Sequence, residues 1–435
     1  MSERSELTVR RGATAGPAGR AAASLTGASG WLASARRTLD RPLAPYYLLL
    51  GATGLLLAIG LVMVLSASSV DAYNKYDNSY YWATKQAVWV LVALPCAWIA
   101  TRLPLKLLRF LAWPMMVVSV ALLALTQTSL GVEVNGNKNW LGLGPVQIQA
   151  SEVAKFSMVL WCADVYARKD ALLGSWRHLV VPVVPVTGAV TVLVLVGGDL
   201  GTALVLFAIM LGMFWVIGVP MRLFVAAVSV VSVAALYLAA SSPERLNRIT
   251  SFVNPFEDFQ SSGWQAGHGI LGMASGGIFG KGIGASQQKW GSLPEAHTDF
   301  IFAVLGEELG LVGTLLVLAL FLTIAYAGIR IAMQADDLFI RYASAGVVIW
   351  LMAHVVINIG MVLALLPVIG IPLPLVSYGG SSLVPELVAL GLLIGFARAE
   401  PSAASALRQR RSDRRNDSNR ARSAVNAGAR PGRPS

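Results

Sequence analysis

The stretch "LPEAHTDFIF" at 293–302 places Glu295, His297 and Asp299 close together, directly ahead of a long apolar run. Two carboxylates and an imidazole at that spacing can take a proton from a hydroxyl or return one. They can also do something plainer: Thr298 or Asp299 can cap the helix that begins there, where the helix dipole favours an acid. A cap needs one such group, and the stretch supplies several.

Other motifs carry ionisable groups as well. In "QIQASEVAKF" Glu152 and Lys155 stand three apart, so on a helix they share a face and can pair. That pair is either an ion pair holding a bundle together or the wall of a polar cavity in which Lys155 meets an anionic substrate group. Asp199 in "GGDLGT" sits in a tight break between two apolar segments, where it can cap the next helix or face the same cavity. The "GGIFGKGIG" stretch has the glycines and lysine of a phosphate loop without the Walker spacing, and Gly282 follows Lys281 where Ser or Thr is required. A flexible turn is the simpler reading, with Lys281 as a phosphate contact the alternative. Glu307, Glu308, His354 and Glu386 lie within apolar runs, where hydrogen bonds across helices satisfy such groups, and none is assigned a role.

The elements that position these residues follow from composition. Hydrophobic residues make up 55% of the 435 and charged residues 13%, and the mean hydropathy is +0.63; this is the composition of a membrane protein. A spanning helix needs about 20 mostly apolar residues. Ten stretches meet that need, near 46–66, 82–101, 107–126, 150–167, 178–197, 200–218, 221–240, 299–329, 342–366 and 377–397. The expected fold is an all-α polytopic membrane protein with ten transmembrane helices and a large outer loop, 241–298, between the seventh and eighth. The lysine and arginine bias puts both termini in the cytoplasm. It leaves two substantial loops outside, 127–149 and 241–298, and the apolar and aromatic content of the second predicts that it lies on or dips into the outer face of the membrane.

The net charge of +11 resides in the tails, where residues 1–45 carry seven Arg against three acids and residues 398–435 carry ten against three. Both tails lack the apolar residues to fold alone and are expected to be disordered. Their arginines read as topology signals and contacts for anionic membrane lipids, not as a nucleic-acid surface. No short apolar segment with a cleavage site precedes the first span, so an uncleaved anchor is expected. Cys96 and Cys162 sit in apolar segments, which argues against redox or metal chemistry.

With these stretches in hand, the chain resembles the SEDS family (shape, elongation, division and sporulation), the family of FtsW and RodA. The resemblance covers most of 46–397. It is carried by "NGNKNWLGLGPVQIQASEVAKF", "GGDLGTALV", "LPEAHTDFIFAVLGEELGLVG" and "INIGMVLALLPVIGIPLPLVSYGGSS", while "RITSFVNPFED" and Ala296 favour the division branch. It implies a peptidoglycan glycosyltransferase that polymerises lipid II on the outer face of the bacterial cytoplasmic membrane, at the septum. The aspartate of the family's His-Thr-Asp-Phe motif falls on Asp299, the implied catalytic residue; Glu152, Lys155 and Asp199 match further motif positions, and Glu295 and His297 become its supporting shell. Ala150 and Gly198 stand where the family has Pro, "NGNKNW" replaces a more basic sequence, and Phe259 follows Asp258 in place of Pro.

The implied reaction is attack of an acceptor 4-hydroxyl on the donor's anomeric carbon as pyrophosphate leaves, with Asp299 as general base. Lys155, Lys281, Arg248 or a divalent cation such as Mg or Mn would meet the leaving charge. No ligand cluster in the sequence fixes a metal, and the ion is implied by the resemblance alone. The implied partners are a class B penicillin-binding protein and division regulators. Ten helices with intramembrane charges suit a lipid II flippase equally well on composition, and a non-catalytic division scaffold is a third reading.

Overall fold

The computed structural model describes residues 41–134, 136–143, 146–240, 255–257, 259, 263–405, 408, 409 and 412. The expectations for tail residues 1–40, for most of 406–435, for Arg248 and for most of "RITSFVNPFED" lie outside the described residues.

Each of the ten apolar stretches contains a helix, but the tenth starts at Leu383 and not at 377, because Ser377 and Tyr378 leave the span to bond the backbone of Thr298 and His297. In chain order they give α1 (Ala44–Tyr76), α2 (Tyr81–Ala100), α3 (Leu105–Thr126) and α4 (Ala150–Arg168). A short α5 (Trp176–Val180) then leads through Pro182 into α6 (Val183–Val196), followed by α7 (Leu200–Ile217) and α8 (Met221–Ala240). After α9 (Trp264–Gly276), in the long connection that follows α8, come α10 (Ile301–Gln334), α11 (Leu338–Val362) and α12 (Leu383–Ala399). Among the described residues, nine segments are long and apolar enough to cross a membrane. Outside that set stands α4, which carries Glu152, Lys155, Asp164 and Arg168 and is buried continuously from Ala154 to Tyr166. Packed between α3 and α11, it meets protein where a lipid-facing helix could not tolerate those charges. The opposite case is α8, which buries none of its hydrophobic window. Its apolar surface suits lipid.

Helix α1 runs 33 residues, about 50 Å at 1.5 Å per residue, against about 30 Å for the hydrocarbon layer, and α10 covers 34 residues with a break at Gly310. They pack on each other. The sequence places the end of the first span at 66, but the polar turns from Ser66 to Tyr76 stay helical, because Ser66 bonds to Glu308 of α10.

The glycine-rich stretch is a wedge, not a flexible turn. Within α10, Gly310 leaves helical geometry (φ 67°, ψ −164°), and the backbone of 277–282 fills the break. Leu311 N and Val312 N donate to Gly277 O (2.9 Å) and Ile278 O (3.1 Å), while Lys281 N and Gly282 N donate to Glu307 O and Glu308 O, both at 3.0 Å. The broken helix therefore exchanges its lost bonds for bonds to the loop. A Cβ on Gly310 would fall 2.3 Å from Gly280 N, so only glycine permits the approach.

The connection between α3 and α4 contains a small antiparallel sheet, which was not expected: β1 (Gly131–Val134), β2 (Asn137–Leu143) and β3 (Val146–Gln149), in that order. Val134 pairs with Asn137 across the first turn. The sequence "VEVNGNKNW" contains the Asn-Gly pair that two-residue hairpins prefer.

Candidate active site

Glu295 builds the turn that presents Asp299. Its backbone is left-handed (φ 55°), its carbonyl accepts from Thr298 N and Phe300 N at 3.2 Å, and its carboxylate accepts from Thr298 Oγ1 at 2.7 Å. The capping expectation fails here. The residue flanking α10 is Phe300, no side chain caps it, and the Asp299 carboxylate accepts no hydrogen bond among the described residues.

The backbone under that carboxylate is, by contrast, held at consecutive residues. Tyr378 N donates to His297 O (2.9 Å), Ser377 Oγ to Thr298 O (2.5 Å), and Asn358 Nδ2 to Asp299 O (2.8 Å). The same Asn358 amide donates to Ile371 O (2.7 Å), and Leu373 N donates to Ser377 Oγ (2.9 Å). The loop after α11 is thus stitched to the turn before α10. Within that loop Gly370 (φ 79°) faces Asp299 so closely that a Cβ would sit 3.4 Å from Oδ2.

Asp199 approaches from α7. Its side chain caps that helix, accepting from Thr202 N (2.8 Å) and Thr202 Oγ1 (2.7 Å). The preceding turn is positioned by the sheet: Lys138 N donates to Gly197 O (2.7 Å), and Gly197 lies against Asn139. Gly198 has φ 86°, which proline cannot adopt. The substitution at 198 and the altered "NGNKNW" segment therefore meet at one contact, since Gly198 packs on Gly136 and Asn137.

These acids act on one another. Burial first, then the negative charges of Glu295 and Asp199, push the Asp299 carboxyl up to about 7. His297 stacks on Trp82 (centroids 5.3 Å apart). Burial holds its imidazole below the ordinary range, opposed by the charges of Glu295 and Asp71.

Glu152 and Lys155 form the pair their spacing predicts, at 2.6 Å, both buried. Lys155 Nζ also lies 3.0 Å from His354 Nε2; an ammonium can only donate, so Nε2 accepts. His354 is one turn of α11 from Asn358, so Lys155 reaches the Asp299 turn through that helix and not by contact. Lys281 likewise pairs with a carboxylate, Glu307 at 2.8 Å. Glu308 accepts from Ser66 Oγ (2.6 Å) and pairs with Lys289 (3.4 Å). Glu386 accepts from Leu375 N (3.2 Å). Among the described residues, no three of His, Cys, Asp and Glu gather where they could hold a metal ion, and both Asp199 oxygens are engaged by Thr202. The chemistry below is therefore derived without one.

Sequence reasoning passed over Asn358, Gly370, Ser377 and Tyr378. Their signal was an amide inside an apolar span and a Pro/Gly-rich segment after it, and neither says which carbonyls will be bound. It also passed over Lys85, one turn along α2 from Trp82, whose ammonium lies 4.4 Å from the Tyr81 ring centroid.

Residues 47–401 match the cell cycle protein family of FtsW, RodA and SpoVE. A Mycobacterium tuberculosis protein named probable peptidoglycan glycosyltransferase FtsW is 38% identical over 379 residues, covering 87% of this chain and 72% of that one. Stage V sporulation protein E of Bacillus subtilis is 37% identical over 356 residues, covering 82% and 97%. Among solved structures, a chain from work on coordination of polymerization and crosslinking by a peptidoglycan synthase complex superposes with TM-score 0.65 at 28% identity, covering 81% of this chain and 97% of that one. The rod shape determining protein RodA of Thermus thermophilus gives 0.59 at 29% identity, covering 81% and 96%. With matches of this length and identity, the chain belongs to the FtsW, RodA and SpoVE family of cell cycle proteins.

Proposed function

We propose that the chain is a peptidoglycan glycosyltransferase that polymerises lipid II at the outer face of the bacterial cytoplasmic membrane during cell division, with Asp299 as the general base. The observation that carries this reading is a carboxylate with no hydrogen-bond partner among the described residues, on a backbone clamped at residues 297–299. Half-buried, open at its oxygens, fixed in place and raised to about 7, it suits proton abstraction near neutral pH.

In the reaction, the acceptor's 4-hydroxyl attacks the donor's anomeric carbon. Asp299 takes the hydroxyl proton as the new glycosidic bond forms, and the bond to pyrophosphate breaks. Asp199 and Glu295 keep the base basic enough to do this. Lys155 is held by Glu152 and His354, so its part is to fix α4 against α11. Lys85, whose ammonium lies 5.4 Å from the Trp82 ring centroid beside the Trp82–His297 stack, has no carboxylate partner among the described residues, and it meets the growing charge on pyrophosphate. The chain acts with a class B penicillin-binding protein that cross-links the product, and both of its termini are cytoplasmic.

The test is to purify the full chain with that transpeptidase, supply lipid II, and compare wild type with Asp299→Asn for glycan chains and for flipping in vesicles. Polymer from wild type alone supports the reading. Flipping without polymer from either protein replaces it with the flippase.

A further inference from the structure

At the end of the bundle away from Asp299, α2, α3, α11 and α12 border an open hollow of about 450 Å³. Its walls are apolar, with Leu105, Leu392 and Phe396 among them, and its rim carries Arg102, Arg398 and Arg408. Like charges gathered over an apolar hollow repel one another, and folding gains nothing from the arrangement. Elsewhere at the same end a carboxylate is supplied for structural arginines: Arg109 and Arg168 both pair with the buried Asp164, at 3.0 and 2.6 Å. Among the described residues none is supplied to the three around the cavity. Glu400, the adjacent acid in the chain, accepts instead from Ser402 Oγ at 2.7 Å.

The surroundings indicate what the arginines meet. The Arg102 guanidinium lies 4.9 Å from the centroid of the Trp98 ring, a cation–π contact that orients it. Trp98 is 61% exposed, as aromatic residues at a membrane interface are. From there Ile99, Leu94 and Leu91 continue along α2, all exposed, a surface suited to acyl chains. The start of the C-terminal segment forms one side of the hollow, with Ala403 buried and Ala404 and Arg408 on its lining.

We propose that this cavity binds the headgroup of an anionic phospholipid, its phosphate between Arg102, Arg398 and Arg408 and its acyl chains along α2. Basic hollows between helices at the cytoplasmic side recognise such headgroups. An apolar wall continuous with a lipid-facing helix distinguishes this site from one for a free anion. Because Arg408 and Ala404 line it, a bound lipid also fixes where the basic C-terminal tail leaves the bundle.

The experiment is native mass spectrometry of the full chain in detergent with phosphatidylglycerol or phosphatidylethanolamine added in turn. Wild type is expected to retain phosphatidylglycerol preferentially, and the triple variant Arg102→Gln, Arg398→Gln, Arg408→Gln to lose that preference by about tenfold or more. The single variants, each at a side chain already partly in solvent, are expected to lose it stepwise, so the test survives poor folding of the triple. Arg222→Gln, an exposed arginine at the same end, is expected to behave as wild type. Undiminished retention by the triple variant overturns the proposal, as does an equal loss in Arg222→Gln, which reduces the effect to surface charge. Displacement of the lipid by millimolar inorganic phosphate also overturns it, because the ligand is then a free anion.

Discussion

Asp299, just before α10, and the pair Glu307 and Glu308, in its first turns, lie within ten residues of one another, and the protein treats them in opposite ways. Glu307 receives Lys281 (2.8 Å), Ser286 Oγ (2.6 Å) and the backbone N–H of Gln287 (3.0 Å). Glu308 receives Ser66, Ser286 N and Lys289. Asp299 receives none of these; the hydrogen bonds go to its carbonyl and to those of the two residues before it. A carboxylate that joins a loop to a broken helix is bonded through its oxygens, while one that must accept a proton is bonded through its backbone and left open at its oxygens.

Replacing each kind of acid should separate the two cases. Asp299→Asn is expected to cut glycan polymerisation by about 10²- to 10⁴-fold, measured as polymer formed from lipid II, without lowering the unfolding temperature. The sign of its stability effect follows from linkage. The folded-state value of about 7 lies above the about 3.9 of an unfolded aspartate. The folded state therefore holds its proton longer, and its stability falls as pH rises between those values. The asparagine variant should accordingly be at least as thermostable as wild type at pH 8, with the difference closing toward pH 4.

Glu308→Ala should do the reverse. It leaves Lys289, 5% exposed, without its counter-charge, at a cost of about 3–5 kcal/mol that thermal unfolding will register, and any loss of activity should track the unfolded fraction. Asn358→Ala loosens the clamp without touching the carboxylate. Polymerisation should fall about tenfold to 10²-fold, as for a misplaced catalytic group, with the acid limb of the pH profile unchanged. The smallest effect is expected from His297→Phe, which keeps a ring against Trp82; its rate should stay within about threefold of wild type, since the general base itself is untouched.

The two regions were also unequally legible in the sequence. The spans could be read because about 20 apolar residues leave a local signature, and every such stretch contains a helix, though the tenth starts six residues late, at Leu383. Asp299 could be noticed among Glu295 and His297 from local chemistry, but its selection rested on family resemblance. What distinguishes it from Glu307 is a set of bonds to Asn358, Ser377 and Tyr378, residues far along the chain, and no local pattern encodes such pairings. The wedge at Gly310 was hidden for the same reason: "GGIFGKGIG" shows that the backbone must turn tightly, not that it will complete a distant helix. The hairpin at "VEVNGNKNW" differs, since its Asn-Gly turn is a local signal that the membrane composition overshadowed.

The central claim, that Asp299 is an unpaired base tuned by Asp199 and Glu295, is tested most directly by the rate of glycan chain formation against pH. For wild type the account predicts a rate that falls about tenfold per unit on the acid side of a midpoint near the about 7 of the Asp299 carboxyl, and a plateau above it; Asp299→Asn should lack that limb. An asparagine variant that polymerises lipid II at the wild-type rate with the same acid limb would contradict it.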